Sequence, residues 1–423
     1  MESKNLLRNI LLIVLTAFPI FAAPKDGSLE AGTAKEKITP EAPVPLSGFS
    51  NRNGPFKGVH DDIYARAIAF SDGENKAVII MAELIGIPNS LYEEVTLLLE
   101  RQTGIPRQSV ILCAVHTHSG PVLSAHGHDS SPEIIAYVEE LTKKLCFVAH
   151  KALENLRPAF LGTGNGICKM NINRRGRNTN GDMWIRRNPY GSTDQKVALV
   201  KISDEDGKSM AVFINWPCHA TSIGSGNYLI SGDWPGAASR YVENFLGVQV
   251  IAPVTVGASG DINPIYAVHD SMTEIGESEI IGTILGEEAL RISNDLQLSS
   301  TGTVNGTQRL LNLPGKKREE EFKLAVNYEP SGTDVPLRIT VLKVGSIVFV
   351  GISGEVAHEI GLAIKEQSPY RQTIVVTHCN GSSGYIPTDK AYTEGGYEVY
   401  TSRLMPGVES ILIENVIDMI NQL

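Results

Sequence analysis

Cysteine, basic charge and long apolar runs are all scarce in this chain, and each scarcity excludes something. The five cysteines, Cys113, Cys146, Cys168, Cys218 and Cys379, are scattered and never form a Cys-x-x-Cys pair. A disulfide framework is therefore excluded, and small core residues are the expected role. Cys218 and Cys379 each adjoin a histidine, which leaves thiolate ligation open. The formal charge of −10 excludes a nucleic-acid partner, which needs a basic face, and disfavours docking on a membrane through basic patches. Beyond the amino end, no apolar run approaches bilayer length. No Gly-x-Ser-x-Gly elbow is present, which removes a serine hydrolase of the usual α/β type. Gly257 and Gly260 fit no dinucleotide fingerprint, and no Lys-Ser/Thr follows them. The sequence shows no internal repeat and no low-complexity block.

What is present is ordinary globular material, 42% apolar and 20% charged, enough for one large or two modest domains. Lys4 and Arg8 precede an uncharged run over 9–21 and then Phe21-Ala22-Ala23-Pro24. This pattern predicts a secretory signal over 1–23, cut near Ala22 or Ala23, and a protein exported to a periplasm or released. No cysteine follows closely enough to carry a lipid anchor. Residues 24–37, small and charged, are expected to form a flexible tail, with one domain over 38–423. Apolar alternation predicts strands at 64–70 and 77–83 around the turn Ser71-Asp72-Gly73, and at 197–203 and 210–216 around a second Asp-Gly turn. Further strands are expected at 249–256, 337–345, 346–351 and 373–379. Helical spacing is found over 90–103, 133–156, 274–291 and from Glu355 to about 365, and Ser231-Gly232-Asp233-Trp234-Pro235 opens another. Strands and helices interleave throughout, so the predicted class is α/β: a layered, mixed β-sheet core flanked by helices.

The chemistry gathers at strand ends. The apolar stretch from Ser109 delivers His116-Thr117-His118-Ser119-Gly120-Pro121, and two histidines two apart on an extended chain point to one side. His219 ends a second apolar strand, and Gly-rich turns at Asp261 and before Tyr385 end two more. Ligands sit beyond the carboxyl ends of strands in α/β sheets, so one pocket and one metal site are expected there. His116 and His219 with one carboxylate would satisfy a catalytic zinc. Glu355 is the best carboxylate candidate, the other reading being a helix amino-terminal acid. His126 and His128 could form a second metal site, although their segment reads as an exposed loop. Arg174, Arg175 and Arg177, in a polar Gly/Asn-rich stretch, either orient an anionic group or lie in a solvated loop.

Taken together, His116-Thr117-His118-Ser119-Gly120-Pro121, Asn215-Trp216-x-x-His219-x-Thr221-Ser222, Ser231-Gly232-Asp233, Gly260-Asp261-x-x-Pro264, Gly354-Glu355, Gly384-Tyr385-x-Pro387-Thr388 and Tyr397-Glu398 resemble the neutral/alkaline non-lysosomal ceramidase family, in order, from about residue 38 onward. The resemblance implies a Zn2+ held by His116, His219, Glu355 and Tyr385, with His118, Arg174 and Tyr397 lining the site as catalytic groups. It implies hydrolysis of N-acylsphingosine (ceramide) to fatty acid and sphingosine, and with a lipid substrate some peripheral membrane or micelle contact. It makes His116, and not His118, the ligand of the pair. Two departures stand out: Asn263 occupies the place of the family's serine in Gly-Asp-x-Ser-Pro, and Val122-Leu123-Ser124 replaces further glycines. The chain ends soon after Tyr397, so the immunoglobulin-like carboxyl domain of long members is not expected. Another N-acyl amine, an ester or a glycoconjugate is the alternative substrate, and a non-catalytic binding protein of the same fold is the alternative of a different class.

Overall fold

The computed structural model describes residues 27–123, 131–266, 275–318 and 328–423. The expected signal, His126 and His128 lie outside them. The first strand is a correction. β1 (Glu30–Lys37) pairs antiparallel along its whole length with β2 (Tyr64–Ser71), from Glu30 opposite Ser71 to Lys37 opposite Tyr64, where a flexible tail was expected. Its polar residues conceal a strand lying under a helix, and Gly32 is what permits the approach: a Cβ there would stand 2.1 Å from the Ala152 carbonyl oxygen.

β2 turns through Asp72 into β3 (Lys76–Ala82), and the Asp72 carboxylate accepts from the Glu74 and Asn75 amides. Then follow α1 (Asn89–Thr103), β4 (Val110–Ala114), which lies parallel to β3, and α2 (Pro132–Glu154). The chain next forms β5 (Phe160–Ile167), a side hairpin of β6 (Asn171–Arg177) and β7 (Met183–Asn188), then β8 (Lys196–Ser203), β9 (Ser209–Trp216), α3 (Asp233–Leu246), β10 (Val254–Val256), β11 (Ile262–Pro264) and α4 (Gly276–Ser293). A last run comprises β12 (Val304–Lys316), β13 (Pro330–Val344), β14 (Ile347–Ile352), α5 (His358–Gln367), β15 (Gln372–Val376) and α6 (Val408–Asn421).

Although the sequence shows no repeat, the topology does. Three times the chain lays down three antiparallel strands, a helix, a strand parallel to the third, and a second helix. The sheet orders are β4-β3-β2-β1, β10-β9-β8-β5 and β15-β14-β13-β12, the first extended by an edge pairing of β1 with residues 157–158. The mixed α/β class with flanking helices holds, but the strands of the repeated unit form three sheets around a shared centre.

Strand alternation explains this arrangement. Ile79, Met81, Ile111 and Cys113 of the first sheet, Val200 and Phe213 of the second, and Phe349, Ile374 and Val376 of the third all point into one central cluster. The alternate residues face outward under helices: Ile80 and Leu112 beneath Leu91, Leu141 and Leu145, Ile214 beneath Trp234 and Ile281, and Val350 beneath Ile360 and Leu412. All strands of the inner ring are thus apolar on both faces, as sheets covered on both sides must be. Backbone bonds stitch the sheets together: Ala114 N–H donates to His378 O, and Thr377 N–H to Val256 O. Asn380 reinforces the first of these seams, donating to Val110 O and accepting from the Leu112 amide. The five cysteines are all free and buried, and burial pushes the Cys113 thiol up to about 12 and those of Cys218 and Cys379 well above the usual range. They are core residues, and thiolate ligation is not supported.

Candidate functional site

Each sheet delivers part of the site from the ends of its inner strands. The first contributes His116 and His118, just past β4, but not by simple pleat alternation. The strand ends at Ala114, and His116 sits in left-handed backbone at φ 63°. Four described residues other than glycine have positive φ, and two of them, His116 and His378, face each other here with stacked rings 3.9 Å apart. Strained backbone of this kind costs of order 1–3 kcal/mol per residue and persists where surrounding structure enforces it.

His116 Nδ1 lies 2.7 Å from the Ile85 carbonyl and His219 Nδ1 lies 2.7 Å from the Ser259 carbonyl. A carbonyl only accepts, so both rings carry their proton on Nδ1 and turn an Nε2 lone pair inward. Burial, then the charge of Arg174, lowers the His219 pKa to about 4, which keeps that ring neutral. Glu355 enters between them, its Oε2 3.4 Å from His116 Nε2 and 3.3 Å from His219 Nε2. Burial alone would raise its carboxyl, but any proton on the flanking His116 and His219 rings pulls it well below the usual range, so the carboxyl is the group that gives up its proton first. Glu355 Oε2 is nevertheless buried without a hydrogen-bond partner. Three lone pairs, one of them anionic, therefore converge with no proton among them, all within 4.8 Å. Such an arrangement is repulsive unless a cation stands at its centre, so the residues fit a bound metal ion.

The other expected residues surround this group. Glu355 pairs with Tyr385 across a short parallel ladder, which brings the phenol oxygen to 3.5 Å from His219 Nε2. Burial, and next to it Glu355, raises the Tyr385 pKa well above its ordinary value, while Arg174 opposes them. Arg174 Nη2 donates to the Tyr385 oxygen at 3.1 Å. Its other nitrogens donate to Glu398 Oε1 at 2.8 Å and Asn263 Oδ1 at 3.1 Å. Tyr397 packs edge-on against Tyr385 at 5.6 Å. His118 Nε2 lies 3.3 Å from His116 Nε2, and burial, then the neighbouring His116 and His219, keeps its pKa well below normal. The seven residues that the resemblance implies, His116, His118, Arg174, His219, Glu355, Tyr385 and Tyr397, thus meet in one place.

Of the two readings of the arginines, the solvated loop holds for Arg177 alone: Arg174 and Arg175 are buried in β6, where both grip the Glu398 carboxylate. His378, which caps the His116 ring, was not singled out, although the strand it ends was. Asp261 does not face the converging lone pairs: its carboxylate accepts from the backbone and ring of His358. A second acidic grouping, His60, Asp61 and Glu279, is partly exposed, and Arg240 already bridges Asp61 and Glu279 at 2.6 and 2.9 Å. It is an ion-pair network.

Glu355 and Tyr385 line a cavity of about 460 Å³ whose other walls include Arg175, Ser192, His358 and Glu398. No helix among the described residues is long and apolar enough to cross a membrane.

Comparison with known proteins gives a consistent picture. Neutral ceramidase B of Dictyostelium discoideum is 29% identical over 243 residues, 55% of this chain and 33% of that protein. The neutral ceramidase of Pseudomonas aeruginosa is 27% identical over 250 residues, 56% of this chain and 36% of that protein. The matched region spans about a third of the length of these curated relatives. The crystal structure of the Pseudomonas aeruginosa neutral ceramidase shares the fold with a TM-score of 0.78, at 18% identity, over 94% of this chain and 75% of that one. The family described as neutral/alkaline non-lysosomal ceramidase, N-terminal, matches residues 30–268, more than half of the chain. On that match, the chain belongs to the neutral/alkaline non-lysosomal ceramidase family.

Proposed function

We propose that this chain is an exported, zinc-dependent hydrolase that cleaves the amide of an N-acylated sphingoid base into fatty acid and sphingosine. The observation that carries the reading is the convergence of two inward Nε2 lone pairs on an ionised, unpartnered Glu355. His116, His219 and Glu355 would hold the ion, with the Tyr385 oxygen beside them. Bound there, zinc supplies Lewis-acid polarisation of a carbonyl and acidifies water toward a pKa of about 7.

The chain's own groups do the rest. His118, neutral by burial and with Nε2 3.3 Å from His116 Nε2, is the base next to the triad. It takes the proton of the attacking water and returns it to the leaving nitrogen as the C–N bond breaks. Arg174, fixed by Glu398 and Asn263, places positive charge beside the Tyr385 oxygen where negative charge develops on the carbonyl. The Tyr397 hydroxyl has no partner among the described residues and can donate to the same oxygen. A lipid substrate entails contact with a membrane or micelle surface at the cavity mouth.

Asn263 supports a second reading, hydrolysis of another N-acyl amine or an ester, because it replaces the family's serine at the residue that orients Arg174. Zinc content and turnover of a fluorescent N-acylsphingosine, measured on the mature chain and on His116→Ala, decide the matter. Stoichiometric zinc with turnover lost in the variant supports the leading proposal. Zinc without ceramide turnover moves the assignment to the second reading, and absence of zinc overturns the mechanism.

A further inference from the structure

Across the cavity from Tyr385, three side chains outside the metal-type site are arranged as nucleophile, base and orienting acid. His358 Nδ1 lies 2.7 Å from Asp261 Oδ2, and the His358 amide donates to Asp261 Oδ1 at 2.8 Å. The aspartate thereby fixes both the ring and its helix start. A carboxylate accepts, so His358 carries its proton on Nδ1 and presents a lone pair at Nε2. That lone pair receives the Ser192 hydroxyl at 2.9 Å. His358 and Asp261 are 2% and 5% exposed, whereas Ser192, in the turn between β7 and β8, is exposed to the cavity. Burial lowers the His358 pKa, but the hydrogen bond and charge of Asp261 outweigh it and raise the value, as a general base requires.

We propose that Ser192, His358 and Asp261 form a second, metal-independent acyl-transfer centre acting on carboxylic esters or amides that enter this cavity. Ser192 Oγ bonds to the carbonyl carbon while its proton passes to His358 Nε2, and Asp261 stabilises the imidazolium. The bond from that carbon to the leaving oxygen or nitrogen breaks, and the leaving group takes the proton from Nε2. Water then enters by the same route, and the acyl group departs as a carboxylic acid, so that protons and bonds balance. The amides of Ser192 and Thr193 donate to no acceptor among the described residues, and the proposal assigns them the carbonyl oxygen as acceptor. The constellation is recognised by roles and distances, which is why the absence of a Gly-x-Ser-x-Gly elbow does not exclude it. The inference is independent of the zinc hydrolase reading, since it uses none of that site's side chains.

The test is covalent labelling of the full chain by a fluorophosphonate in excess chelator, read by intact mass and peptide mapping. The expected result is one adduct per chain on Ser192, none on Ser192→Ala, and a labelling rate at least about 10²-fold lower in His358→Gln, the loss of a general base. An esterase-type burst of one equivalent of p-nitrophenol from p-nitrophenyl acetate should disappear in Ser192→Ala and survive excess chelator in the unsubstituted chain. Ser192 is exposed, so its alanine variant keeps the fold. No adduct on Ser192, or a rate unchanged in His358→Gln, overturns the proposal.

Discussion

Glu355 and His358 are three residues apart and face one cavity, yet they belong to opposite kinds of chemistry. Around Glu355, acceptors meet acceptors: two imidazole lone pairs and a carboxylate oxygen without a proton between them. Around His358, donors and acceptors alternate from the Ser192 hydroxyl through the ring to the Asp261 carboxylate. The first arrangement is incomplete without a cation and the second is complete as it stands. Hydrogen-bond accounting, applied wall by wall, therefore separates a place for a metal from a place for a proton relay, although both are built of histidine and carboxylate.

The comparison is broken most strongly at Glu355. Glu355→Gln replaces the anionic oxygen by an amide, and zinc retention and amide turnover should both fall below detection, by elemental analysis and product assay, while Ser192 labelling continues. Phe349→Ala attacks both walls equally, because Phe349 sits at the shared centre, edge-on to Phe213 at 5.3 Å. A loss of about 3–5 kcal/mol in denaturant unfolding is expected. Arg174→Lys removes the fork that joins Tyr385, Glu398 and Asn263, and kcat for the amide should drop about 10²–10³-fold with little change in zinc content.

Asp261→Asn sharpens the other wall. Asp261 is held below its ordinary pKa, burial raising it but the His358 hydrogen bond prevailing, so its stabilisation is present above the unfolded value of about 4 and fades as pH falls through the folded one. His358 is raised, so its stabilisation is present below about 6.5 and fades as pH rises through the folded value. The wild type should therefore exceed Asp261→Asn by about 1–3 kcal/mol between roughly pH 4 and 6.5, the difference narrowing on both sides. Thermal unfolding across pH checks this. Smallest of all, Tyr190→Ser, at a residue 98% exposed on the cavity rim, should shift stability by less than about 0.5 kcal/mol.

Legibility from sequence followed burial. The strands of the three inner hairpins are apolar enough to be read directly, and the Asp-Gly turns fix two of them. β1 is half polar and Gly-containing, and nothing local says that a helix will cover it. β6 looked like loop because its arginines are satisfied only by Glu398, which is remote in sequence. The convergence of His116, His219, Glu355 and Tyr385 was legible because each follows an apolar strand or a Gly-rich turn. His378 was hidden beside Cys379 in what read as continuous strand. Ser192 was invisible for the opposite reason: an ordinary turn serine acquires meaning only when His358, from another sheet's helix, arrives at 2.9 Å.

The threefold topology has one more consequence. His116, His219 and Glu355 are supplied by the first, second and third copies of the repeated unit, so none of the copies owns the site and no pair of them completes it. An ion seated there latches three parts that are distant along the chain, and its affinity includes the free energy of docking them. At a hundredfold excess over Kd, such a latch adds about 2.7 kcal/mol to the stability of the whole. A chain cut after residue 268 keeps both histidines but has nothing to close them on.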